Sequence, residues 1–129
     1  MNTKRNVLIL TDGSGETAVM AAGIAAAVKG NRVTVKTASE FRGNDILPAE
    51  VIFLGCEKPR PGVFAYLEDL LKHINLAGRP CGVFTPGSEK TARYLAALIK
   101  DTEAALHPEF LLAGTGVKKW TQNVFSMHF

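Results

Sequence analysis

Three short runs constrain the fold of this chain more than anything else in it: NVLILT at Asn6–Thr11, EVIFLGC at Glu50–Cys56 and CGVFT at Cys81–Thr85. Each is almost continuously apolar and too short for a helix. Each ends in turn residues, Asp-Gly, Glu-Lys-Pro or Pro-Gly. Runs of that kind are strands buried on both faces. Such a strand needs a layer of helices on each side, and the intervening sequence supplies them.

Thr17–Lys29 (TAVMAAGIAAAVK) is alanine-rich, sets Met20, Ile24, Ala27 and Val28 on one stripe, and stops at Gly30-Asn31. Arg32–Thr37 (RVTVKT) alternates strictly and is a second strand suited to an edge. Residues 38–48 form an irregular or briefly helical crossover. Two prolines and a glycine make Glu57–Gly62 a loop, and Val63–Ile74 then places Phe64, Leu67, Leu70, Leu71 and Ile74 at helical spacing. Ser88 is expected to cap a helix running through Leu106, with Leu95, Leu98, Ile99 and Leu106 inward. His107-Pro108 breaks it, Glu109–Ala113 (EFLLA) is expected as a fifth strand, and Trp120 in the tail is expected to cover the sheet. Five strands alternating with helices imply one α/β domain spanning residues 1–129. Its doubly wound, five-stranded parallel sheet has the order 2-1-3-4-5 within three α/β/α layers.

Composition narrows the function. The formal charge is +3, but the positive residues are dispersed, without the aromatic-basic interleaving of single-strand binders, so no nucleic-acid partner is expected. No apolar run approaches the roughly 18 residues of a membrane span. Val7–Thr11 is too short for the core of a signal peptide, so the expected location is the cytoplasm, with no membrane contact. Cys56 and Cys81 lie inside apolar runs and read as buried free thiols. His73, His107 and His128 show no ligand spacing, so no metal site is expected.

In sheets of this kind ligands bind beyond the carboxyl ends of the strands, near the switch between the first and third. Residues 11–17, 55–62 and 84–88 converge there. Asp12-Gly13-Ser14-Gly15-Glu16-Thr17 leads from a strand into a helix, so its backbone N–H groups and the positive helix end face one small volume. Gly13 and Gly15 let the backbone curl around an anion, and the hydroxyls of Ser14 and Thr17 add donors. A plain turn capped by Ser14 or Thr17 is the competing account. Other chemistries of this topology lack their residues. Gly55-Cys56 stands where a phosphorelay receiver has its aspartate, Thr11-Asp12 where a cysteine phosphatase has its nucleophile. Glu16 stands where a Walker loop has lysine, and Ala18 where a dinucleotide fingerprint has its third glycine.

The chain resembles the flavodoxins. Their Thr/Ser-x-Thr-Gly-x-Thr loop is matched by Asp12–Thr17, with Ser14, Gly15 and Thr17 fitting directly. Glu50–Cys56 is similar to their third strand with its terminal Gly-Cys, and Ala77–Phe84 is placed like their Gly-Lys-x-x-x-x-Phe fourth strand. The resemblance implies a flavodoxin-like fold, FMN as cofactor and a role in electron transfer, with a redox partner protein. It also implies that Ser14, Gly15 and Thr17, with Asp12, Gly13 and Glu16, surround the phosphate. Cys56, Lys58, Pro59 and Arg60, with Thr85, Pro86, Gly87 and Ser88, would border the ring. Departures are specific: Asp12 replaces a hydroxyl residue and Glu16 an amide, neither ring-side loop holds Trp or Tyr, and the chain is basic where flavodoxins are acidic. Lys58 and Arg60 offer compensating charge, and Pro59 and Pro61 offer faces to the ring. The alternative is a flavodoxin-like module without flavin, serving as a binding or assembly domain through its alanine-rich first helix or its Trp120 tail. A homodimer is compatible with either reading, and a redox carrier or binding protein fits better than a stand-alone enzyme.

Overall fold

The computed structural model describes residues 4–113 and 116–127; His128, named above among the histidines without ligand spacing, lies outside them. The parallel register begins at β1 (Asn6–Thr11), which pairs on one side with β2 (Arg32–Thr37), Ile9 opposite Val35, and on the other with β3 (Val51–Gly55), Ile9 opposite Phe53. β3 pairs in turn with β4 (Pro80–Thr85), Leu54 opposite Val83. Beyond β4 two short parallel pieces lie on the same edge, and only the second falls within the strand expected at Glu109–Ala113. β5 (Ala105–Leu106) lies along Pro80 and Cys81, and β6 (Leu111–Leu112) along Phe84 and Thr85. The order is therefore 2-1-3-4-5, with a sixth strand attached to β4.

The pleat sorts the apolar strand residues into two cores. Leu8, Leu10, Ile52, Leu54, Cys81 and Val83 face one side, under α2 (Gly43–Ile46), α3 (Ala65–Leu71) and α4 (Glu89–Lys100). Val7, Ile9, Val51, Phe53 and Phe84 face the other, under α1 (Gly15–Ala27) and α5 (Val117–Phe125). Trp120 covers that face, its ring 5.7 Å from Phe53, and donates its indole N–H to the Glu109 carbonyl at 2.9 Å. Gly82 makes the close approach feasible, because a Cβ there would lie 2.8 Å from the Trp120 ring.

Two expectations about the second half are corrected. α4 stops at Lys100 rather than Leu106. Thr102 is fully buried, bonds its hydroxyl back to the Ile99 carbonyl, and accepts from Ala104 N–H at 3.2 Å, while Glu103 takes φ 64°. This side-chain competition ends the helix, and the freed Ala105–Leu106 pairs with β4. The strand expected at Glu109–Ala113 narrows to Leu111–Leu112, because His107 Nδ1 accepts the Glu109 N–H at 3.1 Å and turns the chain off the sheet first.

β2 is the edge strand, as expected, and is tied in by side chains. Lys36 Nζ sits 2.8 Å from Asp45 Oδ1, which with the Arg42 N–H holds the Asp45 carboxyl below its ordinary range. Arg79 Nη1 reaches the carbonyls of Ile46, Leu47 and Ala49 at 2.9–3.2 Å, binding the crossover to the start of β4.

Candidate functional site

Three loops meet at the carboxyl end of the sheet, where β1, β3 and β4 give way to α1, the residue 56–62 loop and α4. The first begins with Thr11, whose buried hydroxyl accepts the Gly13 N–H at 3.2 Å. Gly13 takes φ 85°, a conformation that favours glycine, with Thr37 beside it. Asp12 Oδ1 accepts the Ser14 N–H at 3.1 Å, an Asx turn that aims the chain into α1. Ser14 then occupies the N-cap position without using its side chain there; its hydroxyl lies 2.6 Å from that of Thr17 instead. Thr17 is fully enclosed, whereas Ser14 is half-buried, so Ser14 is the hydroxyl that a ligand would meet.

The first helical bond of α1 runs from Ala18 N–H to the Ser14 carbonyl at 2.9 Å. The N–H groups of Gly15, Glu16 and Thr17 are therefore left without an acceptor among the described residues, as at any uncapped helix start. Gly15 borders open space: a Cβ added there would meet nothing within 4 Å. Glu16 is exposed in the first turn.

Asp12 is not a free carboxylate in this site. Its second oxygen accepts the Glu57 N–H at 2.9 Å, joining the first loop to the second across 45 residues of sequence. The second loop starts with Cys56, buried, whose thiol donates to the Lys58 carbonyl at 3.2 Å. Burial, and secondarily the Asp12 charge, push that thiol up to about 12, so it stays a protonated donor near neutral pH. Lys58, Pro59 and Arg60 are exposed beyond it, and Arg60 takes φ 52°, left-handed for a non-glycine residue.

The third loop closes on the same residue, Glu57. Gly87 packs so tightly on the Glu57 carbonyl that a Cβ would clash with it, and the Thr91 hydroxyl approaches that carbonyl at 3.4 Å. Thr85 accepts the Gly87 N–H at 2.9 Å through its buried hydroxyl. Pro86 is half-buried, and Ser88, at the N-cap position of α4, makes no side-chain cap bond. Asp12, Gly87 and the start of the 56–62 loop thus come together, while Lys58, Pro59, Arg60 and Ser88 project outward. Glu57, Thr11 and Thr91 were not singled out by their sequence; their roles depend on contacts between loops, which leave no local pattern. A crevice of about 180 Å³ flanks the first loop, bounded by Gly13, Ala18, Val35 and Thr37. A larger one of about 520 Å³ lies at Glu109–Leu112 and Trp120, and none of its lining comes from the three loops.

Among the described residues no three His, Cys, Asp or Glu side chains gather as a metal site, and no helix is long and apolar enough to cross a membrane. No protein-family model matches the chain, and no curated protein sequence does. Solved structures do. A short-chain flavodoxin associated with a non-canonical PDU bacterial microcompartment is 13% identical with a TM-score of 0.79, over 95% of each chain. Oxidised flavodoxin 2 from Bacillus cereus is 19% identical with a TM-score of 0.76, over 94% of this chain and 95% of that one. A variant flavodoxin from Fusobacterium nucleatum, bound to flavin mononucleotide, is 13% identical with a TM-score of 0.67, over 88% of this chain and 76% of its own. The chain has the flavodoxin fold.

Proposed function

We propose that this protein binds flavin mononucleotide at the three-loop end of its sheet and serves as an electron carrier. The observation that carries the reading is the start of α1. Three backbone N–H donors without an acceptor among the described residues, the Ser14 hydroxyl and the open space at Gly15 suit a phosphate group at a helix N-terminus. The fold and the FMN-bound Fusobacterium relative support it. FMN, when bound, supplies the redox chemistry; the chain supplies binding and orientation. Ser14 and the backbone of Gly15, Glu16 and Thr17 would hold the phosphate. Cys56–Arg60 and Thr85–Ser88 would border the ring, with Lys58 and Arg60 as nearby positive charges. A formal charge of +3 suits an acidic redox partner.

A second reading, a binding or assembly module without flavin, is favoured by one observation: neither ring-side loop carries an aromatic side chain. Stacking area that would anchor a flavin is missing there. Titration of purified protein with FMN separates the two. The flavin reading expects saturable quenching of flavin fluorescence at micromolar concentrations and a yellow protein after gel filtration; no quenching well above micromolar leaves the second reading.

A further inference from the structure

We infer that the main chain of Glu57 is the junction through which the three ligand-side loops fix one another, and that Asp12 is a positioning residue acting through it. For its effect on ligand, the inference rests on the flavin reading above. The backbone of this residue is held on both sides of its Cα by residues from other loops. Its N–H donates to Asp12 Oδ2 at 2.9 Å, from the loop after β1. Its carbonyl is pressed by Gly87, from the loop after β4, and approached by the Thr91 hydroxyl of α4 at 3.4 Å. Asp12 is itself pinned by the Ser14 N–H at 3.1 Å, so the carboxylate is a two-sided bracket. The N–H and the carbonyl lie on the two planar peptides that meet at the Glu57 Cα, so holding both fixes that residue's φ and ψ, and releasing either group lets both dihedrals relax and moves the other. The carboxylate met in the candidate phosphate loop is accordingly engaged in holding Cys56–Arg60 in place, with both oxygens accepting backbone N–H groups.

Two substitutions reach the junction from opposite ends. Asp12→Asn keeps one carbonyl acceptor and removes the second. Gly87→Ala inserts a methyl against the Glu57 carbonyl. In the flavin-free protein, backbone NMR is expected to show amide exchange at Glu57 at least tenfold faster in each variant. The Gly87 resonance should shift in Asp12→Asn and the Ser14 resonance in Gly87→Ala, while the amides of β1 and β3 stay in place. With flavin, each variant should weaken binding at least fivefold, the double variant should be no worse than the poorer single, and riboflavin should lose as much as FMN, because the displaced loop borders the ring.

Unchanged Glu57 exchange in Asp12→Asn overturns the junction, and so do additive losses in the double variant. Tighter FMN binding in Asp12→Asn with riboflavin unchanged also overturns it, since Asp12 would then act on the phosphate as a charge. If the unaltered protein binds no flavin, the proposed function fails, and the cross-loop shifts at Ser14 and Gly87 alone decide the junction. Should Gly87→Ala not fold, Asp12→Asn carries the exchange and riboflavin arms.

Discussion

The hydroxyls of Ser14 and Thr17 form one pair whose members differ in what their loss exposes. Thr17 is fully enclosed and its hydroxyl has Ser14 as partner, whereas Ser14 is half-buried and within reach of water. Ser14→Ala therefore leaves an enclosed hydroxyl without a partner, at about 1–3 kcal/mol. Thr17→Val removes the enclosed hydroxyl, keeps the shape, and leaves Ser14 free to hydrate, so it should cost under about 1 kcal/mol. Urea denaturation of the two variants checks the order; a larger loss for Thr17→Val would mean that the pair is not enclosed as described. The residue types here were legible from sequence, since a Gly-Ser-Gly-x-Thr turn after an apolar strand points to a helix start with free N–H groups. Which of them faces a ligand was not. That depends on Thr17 falling under the first turn of α1, and on Asp12 reaching a peptide 45 residues away.

At the scale of elements, alternation made β1, β3, β4 and the helices between them readable, because both faces of each strand are covered and each helix carries its own apolar stripe. The reading failed where a local bond overrode periodicity. Leu106 continues the spacing of Leu95 and Ile99, yet Thr102 closes on the Ile99 carbonyl and delivers Leu106 to the sheet edge. The same packing logic gives a prediction for the layer contact at Gly82. A Cβ would stand 2.8 Å from the Trp120 ring and 2.9 Å from Val124, both on α5. Gly82→Ala must push α5 outward or turn the indole, costing about 1–3 kcal/mol. Because Trp120 is the sole tryptophan, its fluorescence reports the contact directly. A red-shifted emission with a lowered urea midpoint is expected. An unchanged spectrum and midpoint would show that the indole does not rest on β4.

Taken whole, the molecule distributes its enclosed ionisable groups unevenly. Cys56 and Cys81 both lie in the core under α2, α3 and α4, and Tyr94 packs against that core; the core under α1 and α5 holds none of the three. Burial is the first cause of the upward shift in each, joined at Cys56 by the Asp12 charge and at Tyr94 by its hydrogen bond to Glu68. The sign follows from which state gives up protons first. As pH rises past the ordinary thiol range near 8.5, thiols of the unfolded chain ionise while the folded ones stay neutral. The unfolded state then binds fewer protons, and stability falls with pH. Each thiol contributes a slope of up to about 1.4 kcal/mol per pH unit from about pH 9 upward, until its folded form titrates too. Urea midpoints are therefore expected to hold between pH 7 and 8 and to drop clearly between pH 9 and 10.5. Cys81→Ala should lower stability at pH 7 through lost packing, yet flatten the alkaline fall by about one thiol's share. If the unaltered protein keeps its midpoint to pH 10.5, or Cys81→Ala falls just as steeply, then these thiols ionise freely in the folded state and the core under α3 and α4 is open to water.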